Sequence, residues 1–394
     1  MRSLFESGTN GLCMLTKIIC LVARSPKPCG VEAFGRQLCA ELARAGHGAT
    51  EVAVSSVARH LRGLWRDLRD AEALLVNLPV VAWKRRVLTP TIELLLAKLR
   101  RRRSVLILHE WADLNWKRRW TYAPCVLLAD TILFSSPLVR GQFEASPISA
   151  VATRETGLVP IPPNLQPPAI IEPTPLSRRI AQLRGEGVMI VAQFGSIYPH
   201  KNSVFLLEVA AALKESGAKV CALFIGSFIA AGDRVEEDFR ARVAELGLDA
   251  HVIVTGYLEQ ADIFAAFREV DAFLYYFKEG LTSRRGSVLA CLFSGAPVYA
   301  NAPFDAREFD HHPAYRAQID HGGLRLLGNG LSAGEVAQIL LQERSVERGG
   351  SPPDYERCWQ DAASAVSSAL PEQRGRQVLQ AAASTAAGGG GDHY

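Results

Sequence analysis

The chain of 394 residues is long for a single hydrophobic core and predicts two domains of roughly 150–200 residues each. Its composition is that of an ordinary globular protein, and no apolar run reaches the ~18 residues that a membrane-spanning helix needs. The eight cysteines form no C-x-x-C pair, which excludes zinc-knuckle and disulfide-framework proteins and favours a reducing compartment. We therefore expect a cytoplasmic protein.

Positive charge is concentrated in the first part of the chain. Residues 1–165 carry 23 Lys and Arg against 13 Asp and Glu, and the excess lies in the clusters "WKRR" (83–86), "KLRRRR" (98–103) and "WKRRW" (116–120). Solvated helix ends explain such clusters, and so does a peripheral contact with the anionic inner face of a membrane. No nucleic-acid recognition motif accompanies the charge, so nucleic acid is not expected as a partner.

Strand-like and helix-like segments alternate through the first half, after an expected disordered leader at 1–16 in which Met14 is an alternative start to Met1. An amphipathic helix follows the loop at Gly30. Buried strands are predicted at 17–23, 73–79, 104–110 and 131–136. This order is typical of βαβ units and predicts a parallel, Rossmann-like sheet over 17–157.

The pattern begins again after a stretch with seven prolines, residues 158–177, which we interpret as a stiff linker. A second Rossmann-like domain is predicted over 178–345, followed by a helical segment at 346–380 and a disordered low-complexity tail at 381–394. The predicted fold class is α/β, with two facing doubly wound domains. Ligands of such sheets bind beyond the carboxyl ends of the strands, so the interdomain cleft is the expected site.

Several familiar motifs are missing from the sequence. It has no G-x-x-x-x-G-K-[ST], no G-x-G-x-x-G after the first strand, no G-x-S-x-G and no H-E-x-x-H. No Asp-x-Asp pair stands at a strand end to hold a divalent cation. We therefore expect neither a metal nor a bound cofactor.

Two loops of the second half lead into predicted helices. Asn202 and Ser203 are predicted to cap the first helix, and Ser283 is predicted to cap the second. Lys201 then stands at the start of the first helix, where free N–H groups and the helix dipole already favour an anion.

The second of these loops carries two adjacent cations. Arg284 and Arg285 would fall in the first turn of their helix, where they oppose its dipole unless an anion lies between them. Together with Lys201 they predict a diphosphate site, since arginine offers forked donors to phosphate oxygens. Gly286 and Ser287 would leave room for a ligand to approach the backbone. The alternative is that the arginines simply pair with Glu279.

The sequence also resembles a known family. The block "FGSIYPHKNSVFLLEVAAAL" resembles the start of the C-terminal domain in the retaining GT-B glycosyltransferases of group 1 (family 4). The blocks "ALFIGSF", "HVIVTGYL" and "DAFLYYFKEGLTSRRGSVLACLFSGAPVYAN" follow in the family's order, and "CGVEAFGRQLCAELARAGHGATEVAV" is similar to its N-terminal opening. The similarity spans residues 17 to about 340.

The resemblance implies roles for residues of the second half. Gly195 matches the glycine of the first loop and Lys201 its lysine, while Ser196 stands where the family has an arginine. Glu279 matches the first of two family glutamates eight positions apart, and is implied to lie near the donor sugar as a catalytic residue. The second glutamate, which in the family binds the ribose of the nucleotide, is replaced by Ser287. Because the first loop lacks the family's arginine and the second loop carries Arg284 and Arg285, the phosphate clamp is expected to have moved to these two arginines.

Other implied positions are less direct. His109 matches a histidine at a strand end near the donor sugar, although such a histidine is as often structural. Tyr257 and Leu258 match a loop that contacts the nucleotide base, with a plain core role as the alternative. The loop at Gly30 is implied to shape the acceptor side.

Taken with the resemblance, the predicted function is metal-independent, hexosyltransferase-like transfer of a sugar from a nucleotide-diphosphate donor to a glycan or lipid-linked acceptor in surface polysaccharide synthesis. One alternative is a catalytically inactive GT-B-like scaffold in polysaccharide assembly, which the replaced arginine and glutamate would suit. Another is an epimerase or phosphorylase of the same architecture.

Overall fold

The computed structural model describes residues 15–25, 29–54, 57–85, 88–112, 114–152, 154–198, 201–229, 234–344 and 351–370. These residues form two compact units. The first takes the described residues up to Phe134, Phe143–Gly157 and those from Ala363 onward; the second takes Ser135–Gln142 and Leu158–Ala362. The predicted tail at 381–394 lies outside the described residues, as does the leader up to residue 14.

The first unit is built on a six-stranded sheet. Its strands are β1 (Leu15–Val22), β2 (His47–Ala53), β3 (Ala73–Leu78), β4 (Arg103–Leu108), β5 (Thr131–Phe134) and β6 (Glu155–Leu158). Its helices are α1 (Gly30–Arg44), α2 (Val57–Asp67), α3 (Thr89–Leu99) and α4 (Trp116–Leu128), and α5 (Pro137–Glu144) follows β5. The strand order is β2-β1-β3-β4-β5-β6, and the registers from β2 through β5 are all parallel. Because β1 begins at Leu15, the last two residues of the predicted leader belong to a strand.

The second unit holds the other six-stranded sheet. Its strands are β7 (Met189–Phe194), β8 (Val220–Ile225), β9 (Val252–Val254), β10 (Ala272–Tyr275), β11 (Val298–Asn301) and β12 (Leu324–Leu327). Its helices are α6 (Pro175–Gly185), α7 (Ser203–Glu215), α8 (Val235–Glu245), α9 (Gln260–Phe267), α10 (Gly286–Cys291), α11 (Pro313–Asp320) and α12 (Ala333–Gln342). The residues of α13 (Tyr355–Ser367) are divided between the two units after Ala362.

The four central strands of the second unit, β7, β8, β10 and β11, are buried on both faces, as a parallel sheet covered by helices requires. In β7, Ile190 and Ala192 pack into one hydrophobic core, and Met189 and Val191 pack into the core on the opposite face. Read from β9, the strand order is β9-β8-β7-β10-β11-β12, which is the doubly wound Rossmann order. The α/β fold class predicted from the sequence is thereby confirmed.

The proline-rich stretch lies within the second unit. Val159 and Ile161 are buried, and the backbone carbonyl of Ile161 accepts a hydrogen bond from Nε2 of His312 at 3.1 Å. The stretch ends at α6, where Thr174 and Ser177 form a reciprocal capping box. The hydrogen bond to His312 ties the stretch to the residue that precedes α11 in the second unit.

Candidate functional site

The candidate site lies where the second sheet changes its winding direction. The chain moves outward from β7 through β8 and β9, then returns to the other side of β7 at β10. The loops that leave the carboxyl ends of β7 and β10 therefore diverge, and ligands of doubly wound sheets bind in the crevice so formed. The β7 loop carries Gly195 and Lys201, and the β10 loop carries Glu279, Arg284 and Arg285.

The β7 loop turns at a glycine that the packing demands. Gly195 has φ +100°, and a Cβ there would lie 3.0 Å from the Lys201 Nζ. Gly226, which follows β8, lies against the carbonyl of Gly195, and a Cβ on Gly226 would overlap that carbonyl oxygen. Ser196, the next residue, is exposed, so the position that is arginine in the resembling family here offers only a hydroxyl at the surface.

Lys201 is buried beneath this loop, with 4% of its surface exposed. Its Nζ donates a hydrogen bond to the carbonyl of Phe194 and lies 5.3 Å from the centre of the Tyr275 ring. Desolvation lowers the pKa of Lys201 to about 7; the charge of Arg285 adds to this and Cys291 opposes it. An anion entering the crevice would favour the charged form of the amine.

The predicted capping of α7 is wrong in detail. The helix begins at Ser203, and Asn202 precedes it in the left-handed conformation, φ 54°, with no side-chain cap hydrogen bond. The Ser203 hydroxyl instead donates to Oε1 of Gln193 at 2.5 Å. The side chain therefore ties the helix start to β7.

The predicted start of α10 is also wrong. The helix begins at Gly286 with Arg285 as its N-cap residue, so both arginines precede it. Ser283 lies two residues before the N-cap position, and its amide and hydroxyl both donate to the Glu308 carboxylate, each at 2.8 Å. Desolvation raises the pKa of Glu308, although the hydrogen bonds from Ser283 oppose this. With six residues, α10 provides no helix-terminus site of its own.

Both arginines contact Glu279, as the alternative interpretation of the sequence anticipated. Arg285 donates to the Glu279 carboxylate and to the Tyr198 hydroxyl, the latter at 2.9 Å, and its guanidinium lies 4.7 Å from the centre of the Phe277 ring. Arg284 approaches the same carboxylate at 3.6 Å. The arginine side chains are only 11% and 16% exposed, so they are held in the loop and do not extend into bulk solvent. Two cations against one carboxylate leave this cluster with a net positive charge.

The two residues after the arginines, Gly286 and Ser287, lie close to other parts of the second unit. A Cβ on Gly286 would meet the Pro162 carbonyl oxygen at 2.6 Å, so the missing side chain accommodates the chain's own backbone and not the ligand that the sequence suggested. Ser287 is half-buried, and its Cβ is 4.0 Å from where a Cβ of Gly195 would stand.

The first unit holds two of the proposed residues. His109 follows β4 and is buried, with Nε2 3.2 Å from the acceptor Oδ1 of Asn77 and its ring against the edge of Phe34 at 5.0 Å. Gly30 is the exposed first residue of α1, and a Cβ there would have open space.

The loop proposed to contact the base lies in the second unit. Tyr257 follows β9 and is 74% exposed, so it stays a proposed base-contacting residue. Leu258 packs against the hydrophobic core, in line with the alternative core role.

Sequence reasoning missed a buried histidine pair under the β10 loop. His311 and His312 lie with ring centres 5.9 Å apart, and burial lowers their pKa values to about 4 and about 3. Tyr315 packs its ring on His312 and donates its hydroxyl to the Arg285 carbonyl at 2.9 Å. Because the histidines stay neutral at physiological pH, they support the arginine loop without adding charge. No sequence pattern around His311 and His312 indicated that they would pack together beneath the arginine loop.

Among the described residues, no three His, Cys, Asp or Glu side chains gather into a metal-binding group.

Comparison with known proteins gives a match at the level of structure. No protein-family model matches the sequence, and no curated protein matches it significantly. HepE from Anabaena, solved with UDP and glucose, superposes with a TM-score of 0.59 at 13% identity, over 94% of this chain and 100% of that chain. Sucrose-phosphate synthase from Thermosynechococcus elongatus gives 0.55 at 15% identity, over 93% and 100%. The lipopolysaccharide outer core galactosyltransferase WaaB gives 0.52 at 13% identity, over 89% and 98%. With its two Rossmann-like units, the chain has the GT-B fold of the nucleotide-sugar glycosyltransferases.

Proposed function

We propose that the protein is a glycosyltransferase that moves a hexose-like sugar from a nucleotide-diphosphate donor to a glycan or lipid-linked acceptor in surface polysaccharide synthesis. The observation that carries the proposal is the cluster of Lys201, Arg284 and Arg285 at the carboxyl ends of β7 and β10, where doubly wound sheets bind ligands. The complexes of HepE with UDP and with UDP-glucose support it by likeness of fold.

The chemistry would rest on stabilising the leaving diphosphate. When the bond to the sugar breaks, negative charge develops on the phosphate oxygens, and fixed cations in a partly buried site stabilise that charge. Arg284 and Arg285 are already positioned by Glu279, so little reorganisation is needed when the donor binds. Lys201 would add a third positive charge once an anion raises its pKa.

Calorimetry tests the clamp. UDP or GDP is titrated into the wild-type protein and into Arg285→Ala, and we expect the variant to bind at least about tenfold more weakly because a charge-assisted hydrogen bond is lost. The matched control is Arg240→Ala, since Arg240 is an exposed residue on α8 paired with Glu236. Equal affinity of wild type and Arg285→Ala for both nucleotides would refute the clamp.

The scaffold alternative is favoured by one specific observation. Ser196 and Ser287 offer hydroxyls where the resembling family has a cation and a carboxylate. A thermal-shift panel of nucleotide sugars, followed by an assay for donor hydrolysis or transfer, separates the two functions. A nucleotide sugar that stabilises the protein but is neither hydrolysed nor transferred would favour the scaffold function. Measurable hydrolysis or transfer would exclude the scaffold function.

A further inference from the structure

Three helices of the first unit form one layer on the same face of its sheet. α3 packs against both α2 and α4. The Thr91 hydroxyl lies 3.2 Å from the Cys125 thiol, and the Arg100 guanidinium lies 3.6 Å from the centre of the Trp65 ring. All three helices connect strands in the same direction across a parallel sheet, and right-handed crossovers place such helices on one face. Their exposed sides therefore point away from the sheet together.

The outer side of α3 is apolar. Leu88, Ile92, Leu95 and Leu99 follow one another at spacings of four, three and four residues, which places them in one stripe of a helix. Leu88 is 65% exposed and Leu99 is 64% exposed. The opposite side of the helix already buries residues such as Leu94 in the core. The stripe is thus a second apolar face that the fold leaves uncovered.

The start of α4 extends this surface with two tryptophans. Trp116 is 63% exposed and Trp120 is 68% exposed, and they stand one helical turn apart. Since α3 and α4 both begin at the carboxyl ends of neighbouring parallel strands, the two helix starts lie at the same end of the layer. We call Leu88, Leu95, Leu99, Trp116 and Trp120 the α3–α4 face.

Cations surround this apolar surface, and acids are almost absent from it. Residues 57–128 contain 15 Lys and Arg against six Asp and Glu. Arg101 and Lys117 are exposed beside α3 and on α4, and the Lys117 amine lies 5.6 Å from the centre of the Trp116 ring. Lys98 on α3 is also exposed, but its amine pairs with Asp130 at 2.6 Å. The one acid within α3, Glu93, is fully buried. The α3–α4 face therefore presents aliphatic and indole groups within a positive field.

We propose that the α3–α4 face docks the protein onto an anionic lipid surface. Tryptophan prefers the boundary between headgroups and acyl chains, and Lys and Arg beside it meet the lipid phosphates. A nucleic acid would satisfy the cations but not the leucine stripe, and a second copy of the face would bring like charges together. No helix among the described residues has both the length and the apolar character to cross a bilayer.

Vesicle flotation of the full chain tests the docking. We expect the protein to float with phosphatidylcholine vesicles that contain about 30 mol% phosphatidylglycerol and to stay behind with pure phosphatidylcholine. Raising NaCl from about 0.1 M to about 1 M should release most of it, because the Debye length falls from ~10 Å to ~3 Å. Lys117→Gln with Arg101→Gln should weaken partitioning about 30-fold, at roughly fivefold per cation. Trp116→Ser with Trp120→Ser should weaken it at least about tenfold.

Matched controls keep the test specific. Val151 in the first unit is 66% exposed and Phe304 in the second is 70% exposed, so Val151→Ser and Phe304→Ser remove similarly exposed apolar groups that do not belong to the α3–α4 face. Both should float as wild type does. Equal binding to neutral and anionic vesicles, or unchanged binding of the tryptophan and cation variants, would overturn the proposal. So would a concentration-dependent dimer that the tryptophan variant abolishes, or tight RNA binding by a protein that ignores anionic vesicles.

Discussion

The buried lysine beneath the β7 loop should contribute a term to the free energy of unfolding that rises with pH. An unfolded chain keeps a proton on Lys201 up to its ordinary pKa of 10.5, whereas the folded protein gives that proton up above about 7. Between these values the unfolded state binds more protons, so the free energy of unfolding increases with pH. Integrated from pH 7 to pH 9, the gain from this one residue is about 2 kcal/mol.

The substitution Lys201→Met isolates the effect. It removes the titrating amine, and the Phe194 carbonyl keeps a hydrogen bond from the Tyr275 hydroxyl at 3.0 Å, so no buried acceptor is stranded. Urea unfolding followed by circular dichroism at pH 7, 8 and 9 gives the difference in unfolding free energy between the two proteins. We expect wild type to gain on the variant by about 2 kcal/mol across this range.

The control is Lys214→Met, which replaces an exposed lysine on α7 that donates to the Gly247 carbonyl. Its stability should follow that of wild type at every pH. A difference between wild type and Lys201→Met that stays constant from pH 7 to pH 9 would show that Lys201 is not a desolvated amine, and the reasoning would fail.

Three further results are expected. Binding of UDP at pH 8 should be accompanied by proton uptake in wild type but not in Lys201→Met, because a bound anion favours the charged form of the lysine amine. Calorimetric titrations in buffers of different ionisation enthalpy measure this uptake. Equal proton uptake by both proteins would contradict the prediction. Gly226→Ala should lower the free energy of unfolding by about 3 kcal/mol, because the added Cβ would overlap the Gly195 carbonyl oxygen. Gly256→Ala, at φ +73° with open space around the added Cβ, should lower it by only about 1 kcal/mol in the same thermal unfolding assay. Similar losses in the two variants would argue against the close approach of Gly226 to the Gly195 carbonyl. Glu308→Ala should lower the free energy of unfolding by about 1–3 kcal/mol, because the Ser283 amide and hydroxyl lose their acceptor. Glu308→Gln keeps an acceptor oxygen and should lower it by less in the same assay. An equal loss in both variants would mean that the charge of Glu308 matters more than its hydrogen bonds.

The central strands could be predicted from the sequence because parallel strands covered on both faces are continuous apolar runs. The runs at 188–195 and 219–226 contain β7 and β8 with one extra residue at each end. The edge strand β2 was not predicted. It has a neighbour on one side only, and its sequence HGATEVA is only partly buried.

The candidate site shows where local patterns stop being informative. The loop positions of Lys201 and Arg285 could be predicted, because they follow from strand ends. The start of α10 at Gly286 could not, since Ser283 donates its amide and hydroxyl hydrogens to Glu308, 25 residues further along the chain. The burial of Lys201 depends on Tyr275 from another strand, which no local spacing reveals.

The apolar stripe of α3 was visible in the sequence and was not recognised. Leu88, Ile92, Leu95 and Leu99 have helical spacing, but so do the residues that α3 buries against the sheet. Periodicity identifies an apolar face without saying which side of the helix meets the core. Only the packed structure distinguishes the two.

Neither unit is an uninterrupted segment of the chain, and this constrains where the junctions of a chimeric protein can be placed. In the first unit Nε2 of His47 lies 2.8 Å from the Ser367 hydroxyl, and Arg103 donates to the Ala369 carbonyl at 3.1 Å. A chimera with a single junction in the proline-rich stretch would inherit these partners from a different parent. Exchange of one unit between relatives therefore calls for two junctions, so that the residues after α13 travel with the amino-terminal half.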